Sequence, residues 1–156
     1  DVITYDTLTQ SIGKTLGVSP WVTITQERVH AFADATDDHQ FIHVDPQRAK
    51  EETPYGGTIA HGFLTCSLLP FLSSQCLPRV AHTVMGINYG FDRLRFLAPV
   101  AVGAQLRASF VLADLEVRKP TEISLHWDVT MQIKDHDKPA MVARWITQRH
   151  LAHAVS

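Results

Sequence analysis

Between positions 123 and 133 every second residue is apolar. Ile123, Leu125, Trp127, Val129, Met131 and Ile133 alternate strictly with Ser124, His126, Asp128, Thr130 and Gln132. A period of two puts the two sets on opposite faces of an extended chain, so this stretch is a long strand with one buried face. The polar run 134–138 reads as a turn, and residues 141–149 return as the second strand of a hairpin. Upstream, residues 106–117 form another strand candidate, and 83–88 and 93–96 two shorter ones. The second half of the chain is therefore a run of antiparallel strands.

The first half has a different period. Residues 21–24 are β-prone, Thr25 offers an N-cap hydroxyl, and Val29, Phe32 and Ala33 fall at helical spacing, which predicts a helix over 26–35. Residues 36–40 are a polar loop. Asp45-Pro46 is a helix start, with Asp as N-cap and Pro in the first turn, and a short helix runs from there to about 52. From 59 to 77 the chain is almost wholly apolar on all sides, as expected of a helix buried on most of its surface. Pro70 predicts a kink or break in it near Ser67, and Pro78 closes it. Helices followed by strands predict an α+β fold of one domain over 1–156, an antiparallel β-sheet wrapped around a long central α-helix.

Composition excludes several functions. Of 156 residues, 45% are hydrophobic, enough for a core and against wholesale disorder. Lys and Arg number 14 against 16 Asp and Glu, a net charge of −2, so the chain lacks the basic excess that reads nucleic acid. No stretch approaches the ~18 apolar residues of a membrane span, and neither membrane nor nucleic acid is an expected partner. The first residues show no basic or apolar leader region, so no signal peptide is read there. Cys66 and Cys76 lie in apolar sequence and read as buried reduced thiols, which points to a cytoplasmic protein, with a disulfide as the lesser alternative.

Ionisable groups are densest over 37–45, where Asp37, Asp38, His39, His43 and Asp45 occur together. Asp38 and His43 stand five residues apart in a loop between two helices. A loop can bring both onto one small molecule, where a continuous helix would separate them. A carboxylate and an imidazole in a partly desolvated pocket make an acid–base couple near neutral pH. The segment Gly56-Gly57-Thr58-Ile59-Ala60-His61-Gly62 opens the apolar helix, and free N–H groups at a helix start can hold a developing oxyanion. Taken alone, Asp38 is as well explained as a turn or capping carboxylate. His43 and His61 are individually ordinary structural histidines. The cluster has no recognised metal-ligand spacing, so no metal is expected. Arg93, Arg95, Arg118 and Lys119 read equally as phosphate contacts or solvated strand residues, and His150 and His153 as surface groups.

Residues 36–46, then 55–64, then 87–100 resemble, in that order, segments of the MaoC-like R-specific enoyl-CoA hydratases, nearest the branch of nodulation protein N-like dehydratases. The resemblance implies the hot-dog fold and R-specific hydration of trans-2-enoyl-CoA or enoyl-ACP, with the reverse dehydration. It implies Asp38 and His43 as the catalytic pair and the Gly62 backbone N–H as the oxyanion donor. Gln40, Phe41, Tyr55, Gly57 and His61 become substrate-binding candidates. No cofactor is expected, because the thioester itself activates the alkene. Two departures bear on substrate range: Gln40-Phe41 stands where many members have Asn-Pro, and Pro70 stands where some have a pocket Ser, a place Ser67 does not fill. Two other functions suit the same fold, a non-catalytic acyl-thioester binder and a hot-dog acyl-CoA thioesterase. A lone sheet of this kind has an exposed edge, so a homodimer is expected, with sites near the subunit junction.

Overall fold

The computed structural model describes residues 1–155. In chain order the elements are β1 (Val2–Ile3), α1 (Tyr5–Thr9), β2 (Thr15–Val18), β3 (Val22–Thr23), α2 (Gln26–Thr36), α3 (Phe41–Val44) and α4 (Pro46–Glu52). There follow α5 (Gly62–Ser67), α6 (Leu69–Ser74), β4 (Arg79–Val80), β5 (Thr83–Phe96), β6 (Gln105–Lys119), β7 (Glu122–Ile133) and β8 (Met141–Leu151). The main sheet is antiparallel with strand order β2-β6-β7-β8-β5, and β3 pairs with the other end of β6. β1 and β4 form a small parallel pair. This is the expected α+β, hot-dog arrangement.

The period-two stretch is β7, and its apolar residues Ile123, Leu125, Trp127, Val129, Met131 and Ile133 are all buried. They join the inward residues of β6, among them Leu106, Phe110 and Leu112, in one core cluster. Phe110 meets Trp127 edge-on, with ring centroids 6.4 Å apart, and Trp145 of β8 at 6.2 Å. Leu64, Leu68, Leu69 and Leu72 of α5 and α6 complete that cluster, so the helices lie against the inner face of the sheet.

The apolar run 59–77 is not one long helix. α5 ends at Ser67 and α6 starts at Leu69. Pro70 has no N–H to give the Cys66 carbonyl, so the helical ladder breaks there, while the Leu68 N–H still donates to the Leu64 carbonyl at 3.2 Å. Nor is the run buried on all sides: Phe63 is 71% and Phe71 49% exposed. The two short strands expected over 83–96 are one strand, β5, with register shifts at Asn88/Gly90 and Phe91/Arg93 that break its period. Thr25 and Asp45 cap α2 and α4 as expected, accepting from the Arg28 and Arg48 N–H groups. Cys66 and Cys76 are both free thiols, and burial pushes both up from the usual thiol range. Among the described residues, no helix is long and apolar enough to cross a membrane.

Candidate active site

Asp37 ends α2 in the left-handed conformation, at φ 59°, and turns the chain so that Asp38 begins a new direction. The single turn α3 follows, with His43 in it and only 7% exposed. Three contacts from distant parts of the chain hold this turn. The Gln26 side-chain amide donates to the His43 carbonyl at 2.8 Å, and Thr58 in turn donates its hydroxyl hydrogen to Gln26. The Ile59 N–H donates to the Ile42 carbonyl at 3.0 Å. The His43 Nδ1 lies 2.7 Å from the Ile59 carbonyl oxygen.

That last contact decides the tautomer. A carbonyl only accepts, so Nδ1 carries the hydrogen and Nε2 of neutral His43 is a bare lone pair. The same reasoning applies to His61, which is 3% exposed. Its Nε2 lies 3.0 Å from the Asp38 carbonyl oxygen, so Nε2 is the donor. Its Nδ1 is buried with no partner among the described residues. The two imidazoles stack, with centroids 3.8 Å apart and planes at 25°, and Phe32 packs on His61 at 4.9 Å. Burial first, and then repulsion from His61, lower the His43 pKa below the ordinary histidine range, against opposing pulls from the Ile59 carbonyl and Asp38.

Asp38, His43 and His61 each offer one ligand atom within 4.8 Å of the others. Asp38 is exposed, and its carboxylate also accepts a long 3.4 Å bond from the Gln40 N–H. By distance the three groups admit a shared water molecule or a shared cation. Beside His43 a cleft of about 320 Å³ opens, walled by Tyr55, Ala60, Gly62, Thr65, Phe96 and Pro99 among others. α5 begins at Gly62 with no side-chain cap, so its first amides lack the acceptor a capping residue would supply. A Cβ at position 62 would stand 3.0 Å from the Phe96 ring, so glycine is what lets Phe96 form the opposite wall.

The structure therefore gathers Asp38, His43 and His61, and puts Gly62 and Tyr55 on the cleft wall. It does not bring the other substrate-binding candidates there. Gln40 is exposed as the cap of α3, and Phe41 lies under the Arg48 guanidinium at 4.2 Å. Gly57 sits in the turn before Thr58 and is not on the wall. Arg93 and Arg95 lie exposed on β5. Sequence reasoning did not find the clamp made by Gln26, Thr58 and Ile59. Three of its contacts end on main-chain carbonyls, those of Ile42, His43 and Ile59, which have no residue signature.

A sheet folded over a proline-broken helix, with an acid and two imidazoles beside the helix start, defines a hot-dog protein with a candidate acid–base site. A family model described as a MaoC like domain matches residues 7–131, and the chain belongs to that family. It is 49% identical over 135 residues to nodulation protein N of Rhizobium meliloti, covering 86% of this chain and 84% of that protein. It is 45% identical over 141 residues to 3-hydroxyacyl-thioester dehydratase Z of Mycobacterium tuberculosis, covering 90% and 92%. The solved (R)-hydratase of A. caviae involved in PHA biosynthesis superposes with a TM-score of 0.67 at 26% identity, covering 87% of this chain and 94% of that one.

Proposed function

We propose that this MaoC-like protein catalyses the R-specific hydration of trans-2-enoyl-CoA, or enoyl-ACP, and the reverse dehydration of the (R)-3-hydroxyacyl thioester. The observation that carries the reading is the convergence of Asp38 and a neutral, buried His43 beside the uncapped start of α5. Asp38 and His43 hold one water over C3 of the bound enoyl chain. As its oxygen bonds to C3, one of its protons passes to the pair, and the alkene electrons move toward the thioester oxygen. The Gly62 N–H stabilises the charge that collects there, a contribution of roughly 3–4 kcal/mol for one well-placed donor. A proton then returns from the pair to C2. Because the water's hydrogen and hydroxyl both end on the substrate, the sum is addition of water with no redox change.

Asp38→Asn removes the carboxylate without changing its shape, and His43→Gln replaces the imidazole by a neutral polar side chain. The expected result is a loss of about 100- to 10,000-fold in kcat for hydration of crotonyl-CoA, read as the fall in enoyl-thioester absorbance, with unfolding midpoints retained. Near-normal turnover in both variants overturns the assignment. In the proposed enzyme the working unit is a homodimer joined along β5.

A further inference from the structure

β8 carries an anomaly on its inner face. Met141, Ala143, Trp145 and Thr147 point alternately into the core and are buried, and the next residue in that register is Arg149. A guanidinium in line with core positions needs a counter-charge or a reason. Among the described residues no carboxylate lies within salt-bridge distance of it. Its one hydrogen bond is from Nη1 to the Gln148 carbonyl, at 3.0 Å. Burial pulls its pKa down. On the neighbouring strand Gly86 is its cross-strand partner, and a Cβ there would stand 3.1 Å from Nη1, so glycine leaves the guanidinium its room.

Arg149 lines a cavity of about 440 Å³ between α6 and strands β5 and β8. Arg79 is on its rim, and no acidic residue lines it. Thr83 also faces it, and the Thr83 hydroxyl is buried with no partner among the described residues. A cation without an anion and a buried hydroxyl without a partner, on one cavity, describe a site for an anionic acceptor.

Three cavities follow one another along the seam between the helices and β5. Gly62 and Thr65 line the cleft at His43; Cys66, Leu69 and Pro70 line the next cavity; Pro70 and Ser73 line the one that holds Arg149. Positions 62, 65 and 66 lie on α5 and positions 69, 70 and 73 on α6, so the cavities run in order along the two helices. The middle cavity is walled chiefly by Cys66, Leu69, Pro70, Phe91 and Trp145. Those walls suit methylene groups. A pantetheine arm would bring two amides into them, where Ser67 and Asn88 are the polar side chains on the wall.

We infer that the far end of this seam is an acyl-end subsite, in which Arg149 and Thr83 receive a carboxylate at the ω-terminus of the acyl chain. This rests on the proposed hydratase reading and names its substrate class: ω-carboxyacyl thioesters. From Gly62 to Ser73 the two helices, with the break between them, advance at most about 16 Å at ~1.5 Å per residue. At roughly 1.3 Å per carbon of an extended chain, from C–C bonds of about 1.5 Å, that distance corresponds to about twelve carbons.

The test compares kcat/KM for trans-2-dodecenoyl-CoA, its ω-carboxy counterpart and crotonyl-CoA in the wild type and in Arg149→Met. Calorimetric binding of saturated dodecanoyl-CoA and dodecanedioyl-CoA is measured in parallel. The wild type is expected to favour the ω-carboxy substrate by about ten-fold or more, and Arg149→Met to erase that preference while crotonyl-CoA turnover stays within about two-fold. Equal use of both long substrates by the wild type, or a preference that survives Arg149→Met, overturns the inference. A crotonyl-CoA loss equal to the ω-carboxy loss also overturns it, because Arg149 would then serve the CoA phosphates. If no substrate turns over, the hydratase reading fails, and the calorimetric preference for dodecanedioyl-CoA alone decides the subsite. Arg149→Lys and Thr83→Val, each expected to weaken only the ω-carboxy ligand several-fold, replace Arg149→Met should it not fold.

Discussion

His43 is buried and held as the Nδ1–H tautomer by a peptide carbonyl. Its folded pKa is below the ordinary value of about 6.5. Above pH 6.5 both folded and unfolded chains hold it neutral and it contributes nothing. As pH falls below 6.5 the unfolded chain binds the proton first, so stability is lost down to the folded pKa. Denaturant titrations at pH 7.5 and 5.5 should show this acid loss in the wild type and a smaller one in His43→Gln. In the proposed mechanism the same depression keeps His43 neutral in mildly acidic buffer, so the acidic limb of kcat/KM is expected below pH 6.5. The cluster of Asp38, His43 and His61 also makes a metal prediction, because its geometry admits a cation. In the proposed mechanism the water is held by the pair alone, and prolonged EDTA treatment followed by desalting is expected to leave turnover unchanged; loss restored by Zn²⁺ would reassign the site. The spacing of Asp38 and His43 was legible in the sequence because a loop can close on itself over five residues. The stacking of His61 on His43 was not, since it depends on how residues 58–60 pair with 100–102 through the Ala60 and Val102 N–H groups.

At the scale of elements, the strands that read most clearly were those with one wet and one dry face. β7 and β8 follow the period-two rule through their apolar positions, and the α2 and α4 caps announce themselves by residue type. β5 was read as two pieces because its register shifts at three places, Thr83/Met85, Asn88/Gly90 and Phe91/Arg93, and a shifted set has no single period. α1, β1 and β2 are too short for periodicity to accumulate. The helix was read as longer and drier than it is, because an apolar run records hydrophobicity and not what covers it. α6 nevertheless anchors the sheet: Leu72 is 1% exposed and belongs to the same cluster as Phe110 and Trp127. Leu72→Ala is expected to lower unfolding free energy by about 2–5 kcal/mol, measured by urea denaturation. A change below about 1 kcal/mol would mean that α6 is not seated on the core as described.

At the scale of the molecule, the sheet ends on β5, which among the described residues pairs only with β8. Val84, Met85, Ile87, Tyr89 and Phe91 are exposed on that edge strand, and Phe63 and Phe71 on the helices. A long apolar edge is a liability in an isolated chain and an asset in a symmetric pair. Light scattering should therefore give about 35 kDa, twice the 17.4 kDa chain, and Val84→Lys with Tyr89→Lys should shift the mass toward that of one chain. An unaltered mass in the double variant would move the contact away from β5. The bond between His43 and the Ile59 carbonyl has a consequence of a different kind. Substitution replaces side chains and leaves peptide oxygens where they were. Drift at position 59 thus keeps the proton's address, and selection is free to re-cut the cleft wall without disturbing the His43 tautomer.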